Sequence, residues 1–222
     1  MVVNIELTPI EPIKPEINNK TVPAAKILYR HKDYLDIICE GLMVIKHYER
    51  WEEEFKNWQS ANDKIPKEIF DTLENLFSKI KTEEIFNGVR GALLEKFVEL
   101  SVSERFNKPT SIKKAGCAVK IERTNIPSDM SIYKKAFDYA AFDRSDLKSE
   151  FYECKASPQS FEKGNIDLFQ NLKEHIDKSA MKSCVLGCVS YHNSRSINQD
   201  FKRKKFNTEN LTIIGNKEIK NL

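Results

Sequence analysis

The hydrophobic period of this chain switches at Pro109, and that switch limits what it can fold into. Upstream, apolar residues recur at threes and fours, the spacing of one helix face. Ile27, Leu28, Tyr34, Leu35, Ile38, Leu42 and Ile45 form one such run; Ile69, Phe70, Leu73, Leu76, Phe77 and Ile80 form another. Pro66 suits the first residue of a helix, where its missing N–H is no loss. Thr82, Glu83 and Glu84 make a helix start. The helix running from there to about Phe106 carries Ile85, Val89, Leu93, Phe97 and Leu100 on one side. Downstream the period is two. Val119 and Ile121 alternate with Lys120 and Glu122, which predicts a half-buried strand over Cys117 to Thr124. Phe137 to Asp143 and Glu150 to Ala156 read as two more strands. Residues 165 to 179 read as a helix, Cys184 to Tyr191 as a buried strand and Leu211 to Ile214 as a last strand. Three strands, a helix and further strands predict an α/β layer with a mixed sheet. The N-terminal helices are expected to pack on it as a cap or arm. Residues 1 to 23, with Pro9, Pro12, Pro15 and Pro23, read as an extended or loosely ordered lead-in.

The 222 residues suffice for a compact catalytic domain with a helical extension. The expected division is a lead-in and helical region over 1–81 and a core over 82–222. A hydrophobic fraction of 40% beside 31% charged residues fits a soluble globular chain. No stretch approaches the ~20 apolar residues of a membrane span, and the first 19 residues lack the apolar run of a secretory signal. The five cysteines are odd in number and lie in apolar runs, which predicts reduced thiols and a cytoplasmic location. Cys184 and Cys188, the close pair, read as core residues rather than zinc ligands. A net charge of +3 neither demands nor excludes nucleic acid. Its distribution is uneven: residues 47 to 54 read as an acidic helix face, whereas Arg195 and the run Lys202, Arg203, Lys204, Lys205 are basic.

The chemistry concentrates in Glu150 to Ala156. Strand side chains alternate, so Glu153 and Lys155 share one face, ~7 Å apart along the strand. Tyr152, Cys154 and Ala156 share the other face, which is apolar and core-like. Asp138 is a lone carboxylate in an otherwise apolar strand, and an unpaired buried charge is expensive. Fourteen residues separate it from Glu153, enough for a hairpin that returns beside it. Two carboxylates brought together repel unless a cation lies between them. Mg2+ suits them, with Mn2+ as a substitute: a hard ion held by one or two carboxylates that keeps positions open for water and phosphate. Lys155 is then expected to orient or help deprotonate water and to stabilise charge on phosphorus. Asp143 and Asp146 are rivals for the metal position, but they fall where turns favour Asp for local reasons.

Asp138, the gap of fourteen, and Glu153-Cys-Lys155 in an apolar strand resemble the PD-(D/E)xK signature of the restriction-endonuclease-like nucleases. The resemblance spans roughly residues 82 to 191 and implies a core of helix, three strands, helix and strand. It implies a magnesium-dependent endonuclease acting on DNA, of restriction, defence or recombination type. It also implies a metal-facing glutamate on the helix before the first strand, matched by Glu95, and a glutamine on the helix after the third, matched by Gln170. Lys173, one turn on, is expected to touch phosphate, as are Arg195 and Lys202 to Lys205. Phe137 stands where the signature has its proline, and Glu174 where a basic or aromatic residue is usual. Cutting both strands of a duplex needs two sites, which favours a homodimer, and the N-terminal helices offer a surface for a protein partner. The alternative is a nucleic-acid-binding or assembly protein on the same fold with an inactive site.

Overall fold

The computed structural model describes residues 3–10 and 12–222. Its described residues form eight α-helices and one seven-stranded mixed sheet. In chain order these are β1 (Ile5–Pro9), α1 (Pro15–Arg30), α2 (Leu35–Val44), α3 (Trp51–Ala61), α4 (Lys67–Phe77) and α5 (Glu83–Arg105). There follow β2 (Ser111–Ile121), β3 (Thr124–Ile126), β4 (Phe137–Asp143), β5 (Lys148–Lys155), α6 (Lys163–Asp177), β6 (Ser183–Ser190), α7 (Ser194–Arg203), β7 (Thr212–Ile214) and α8 (Asn216–Ile219). Among the described residues, no helix is long and apolar enough to cross a membrane.

Local chemistry sets several boundaries. The Thr82 side chain accepts from the Ile85 N–H and caps α5, and Pro66 caps α4. Glu122 and Arg123, both at positive φ, make the tight turn that folds β3 back on β2. The sheet order is β1-β2-β4-β5-β6-β7, with β3 beside β2. Pairing is antiparallel through β5, then parallel from β5 to β6 and β7, with α6 and α7 as crossovers.

Both faces of the sheet are covered. On one, α1 to α5 share an apolar cluster with Tyr139, Ala141, Tyr152, Cys154 and Val189. On the other, Phe137, Ala140, Phe142 and Phe151 meet Leu168, Phe169 and Leu172 of α6 and Phe201 of α7. The N-terminal helices therefore build one layer of the sheet's own core.

One expectation needs correction, and two further placements were not foreseen. The lead-in is not loose: Ile5 is fully buried in a strand paired with β2, and Pro15 opens α1. Pro9 ends a short edge strand and Pro15 opens a helix, both places that tolerate proline, while Pro23 lies inside α1. Arg195 to Arg203 lie on a helix, where Lys202 and Arg203 form the basic last turn that the helix dipole favours. The face of β5 that carries Glu153 is covered by α6, and Glu153 is 1% exposed.

Candidate active site

The site forms where β4 and β5 part. Their register runs from Asp143↔Lys148 to Tyr139↔Tyr152 and stops one step short of Asp138. On its other side, β4 skips Asp138 opposite Gly116, whose φ of 51° is a conformation glycine adopts cheaply. The backbone N–H of Cys154 has lost its ladder partner and donates to Asp138 Oδ2 at 2.7 Å. A side chain thus completes the ladder and is held beside the end of β5. This end also borders β6, at the antiparallel-to-parallel change, on the carboxyl side of both parallel strands. Open α/β sheets bind ligands at such places.

Six side chains converge there: Asp138, Glu153, Lys155, Lys134, Asn165 and Glu95. Lys155 Nζ lies 2.6 Å from Glu153 Oε1 and 3.8 Å from Asp138 Oδ2. Lys134 Nζ, from the irregular segment before β4, lies 3.7 Å from Glu153 Oε1 and 3.9 Å from Asp138 Oδ1. The Asn165 side-chain amide donates to Glu153 Oε1 at 2.7 Å. Glu153 Oε2 is buried with no hydrogen-bond partner. Glu95 approaches from α5, close enough to feel Asp138 and Glu153.

The electrostatics follow from burial and crowded charge. Burial, then the charge of Asp138, pushes the Glu153 carboxyl up to about 7. Burial and Asp138 likewise push Glu95 up to about 8. Burial alone would lower Lys155, but Asp138 and Glu153 outweigh it and hold the ammonium above its usual value. Such a lysine donates; it does not take a proton.

Among the described residues, no group of three or more His, Cys, Asp or Glu side chains is arranged to hold a metal ion. Two ammoniums lie against the Asp138 and Glu153 carboxylates instead. The donor chemistry still fits a hard divalent ion: oxygen ligands only, one of them buried and unpartnered, and carboxyls that resist a shared negative charge.

The remaining predicted residues lie elsewhere. Gln170 is not brought to the carboxylates, because its amide donates to the carbonyls of Asn207 and Glu209 at 3.2 Å and ties down the loop before β7. Lys173 pairs with Asp177 in the last turns of α6. The helix starts at the site and runs away from it, so Lys173 is ~12 Å further along the axis than Asn165. Arg203 pairs with Asp200, and Lys204 donates to the carbonyls of Gln159 and Phe161 at 2.7 Å, bracing the loop after β5. Arg195, Lys202 and Lys205 are exposed.

Two residues at the site escaped the sequence reading. Asn165 carried a signal: its Oδ1 accepts from the Glu162 N–H at 2.8 Å, the reciprocal cap of a helix start, and that bond aims its amide at Glu153. Lys134 carried none, since it sits in a segment with no period. No protein-family model matches this chain, and a comparison with curated proteins finds no similar one.

Proposed function

We propose that this chain is a divalent-metal-dependent nuclease that hydrolyses phosphodiester bonds in DNA, with a restriction-endonuclease-like core. One observation carries the reading. Asp138 and Glu153, from strands that part beside each other, share a cationic partner in Lys155, and Glu153 keeps a buried oxygen with no partner.

Asp138 and Glu153, with Glu95 behind them, would hold Mg2+ or Mn2+. When bound, such an ion polarises a phosphate and lowers the pKa of water. The chain's own residues supply the rest. Asp138 stays aimed because it is bonded to the Cys154 N–H. Asn165 fixes the Glu153 rotamer through Oε1, leaving Oε2 as the free ligand atom. Lys155 orients the attacking water and stabilises negative charge gathering on phosphate oxygens, the task a fixed ammonium in a dry site does well.

A second reading, a nucleic-acid-binding protein that does not cut, draws on Lys134 and Lys155 together. Two ammoniums already neutralise the pair of carboxylates. The test is incubation with supercoiled plasmid and linear duplex in magnesium, manganese or chelator, beside Lys155→Ala and Glu153→Gln. The expected result is metal-dependent cutting by the native chain that both variants lose. Cutting that persists in both variants would refute the site, and DNA binding without cutting under either metal would favour the second reading.

A further inference from the structure

A cleft of about 860 Å3 opens between the N-terminal helical layer and the loop after β5. Its lining includes Ala156 and Ser157, the two residues that follow Lys155 in the chain. Lys46, Arg90 and His192 face it, together with the hydroxyl residues Ser157 and Ser160 and one acid, Glu54.

Arg90 is the unusual member. It is 9% exposed, yet no carboxylate lies within 4 Å of it among the described residues. Its guanidinium donates from Nε and Nη2 to the single carbonyl of Leu42, at 3.2 and 2.9 Å, and lies over the Phe86 ring. A buried cation normally has a carboxylate partner, because desolvation is otherwise uncompensated. The nearby acid, Glu54, is committed to His47 and to the backbone N–H groups of Lys46 and His47. Lys46 is exposed and makes no ion pair among the described residues. Burial lowers the His192 imidazole, and the Lys46 and Arg90 charges lower it further, so the three residues share one positive field. The surface continues past His192 and Gln159 to Ser196 and Arg203 on α7.

From this we infer that the cleft seats a phosphate of the DNA strand next to the one being cut, with Arg90 and Lys46 as its cationic ligands and the serine hydroxyls as donors. The inference rests on the nuclease reading for its substrate, but the site is separate. Arg forks and hydroxyls suit phosphate oxygens, and a buried cation with no carboxylate in contact gains most from an arriving anion. Such a seat would fix the strand's register relative to Lys155.

Binding decides it. Fluorescence anisotropy would be recorded on the full chain carrying Glu153→Gln, so that nothing is cut, with and without Lys46→Ala or Arg90→Gln. The probes are a 5′-phosphorylated duplex, the same duplex with 5′-hydroxyl ends, and a closed circle as competitor. Each added substitution is expected to weaken binding roughly tenfold and to reduce the slope of log affinity against log salt by about one. A merely structural role would not change that slope. Weakening confined to the phosphorylated duplex assigns the seat to a terminal phosphate, and equal weakening on all three assigns it to an internal one. Should Arg90→Gln fail to fold, Lys46→Ala alone gives the answer, since the Lys46 side chain makes no hydrogen bond or ion pair among the described residues. Native affinity and salt slope in the substituted chains, or no DNA binding at all, would overturn the inference. Cutting by the native chain is scored separately: cutting with unchanged binding in the variants removes the cleft and keeps the nuclease, whereas weakened binding with no cutting keeps the cleft and removes the nuclease.

Discussion

Glu150 and Glu153 lie three residues apart on β5 and meet opposite treatment. Glu150 is gripped by Arg105 through both oxygens and accepts from the Tyr152 hydroxyl at 2.7 Å. Asp143, at the same end of the β4–β5 hairpin, accepts from Ser111, Ser145 and the backbone N–H groups of Ser145 and Asp146. Those carboxylates are saturated with donors. At the other end, Glu153 keeps a buried oxygen unpartnered, and Glu95, Asp138 and Glu153 crowd one another. Saturated carboxylates hold a fold together. Crowded, under-bonded ones weaken it and are kept for what they bind. The same contrast separates Asp138 from Asp143, its rival in the sequence.

The largest expected effect breaks the comparison at its functional end. Glu153→Gln or Asp138→Asn should lower cleavage at least about a hundredfold. Thermal melting of the metal-free Glu153→Gln protein should show no loss of stability, because a carboxyl that resists ionisation has been replaced by a neutral amide. A marked drop in melting temperature would mean that Glu153 is structural like Glu150.

Asp143→Ala should do the reverse. It removes the shared acceptor of several partly buried donors and should cost about 2 kcal/mol in denaturant melts, with cutting retained. Loss of cutting in a folded Asp143→Ala chain would return that residue to the metal site.

The two ends should also differ in pH dependence. Glu95 and Glu153 bind protons more tightly folded than unfolded, so their contribution falls as pH rises from about 4.5 to about 8. Asp143 is buried, but its hydroxyl and backbone donors hold it well below the usual carboxylate range. Its contribution is present above about 3.8 and is lost as pH falls. Melting of the metal-free chain across this range should show both slopes, and Glu153→Gln should flatten the upper one. An unchanged upper slope would place that titration elsewhere.

A smaller effect is expected at Lys134. Removing an ammonium that competes for the same oxygens should lower the metal concentration giving half-maximal cutting about threefold, the scale of one partly exposed ion pair. A higher requirement would make Lys134 a helper of metal binding.

Much of this was legible in the sequence. The strand Phe137–Asp143 matches its predicted bounds, and α5, β5, α6, β6 and β7 fall close to theirs, because buried apolar periods are strong local signals. The neighbourhood of Asp138, Glu153 and Lys155 was legible as well, from alternation on β5 and one odd carboxylate on β4. What stayed hidden was non-local. Ile5 to Pro9 becomes a strand only because β2 offers an edge. Gln170 and Asn165 share a helix, and which one meets Glu153 depends on where α6 begins and on the loop that captures Gln170. Arg90 shows as a binding candidate only when its lack of a carboxylate partner is known.

The central claim is that the Asp138–Glu153 end of the hairpin takes up a divalent cation. Calorimetric titration of the full chain with Mn2+ near about pH 7, in two buffers of different ionisation enthalpy, tests it most directly. The expected result is a saturable site whose heat depends on the buffer, because Glu95 and Glu153 release protons as the ion binds, and which Glu153→Gln abolishes. No saturable heat, or binding that Glu153→Gln leaves unchanged, would contradict it.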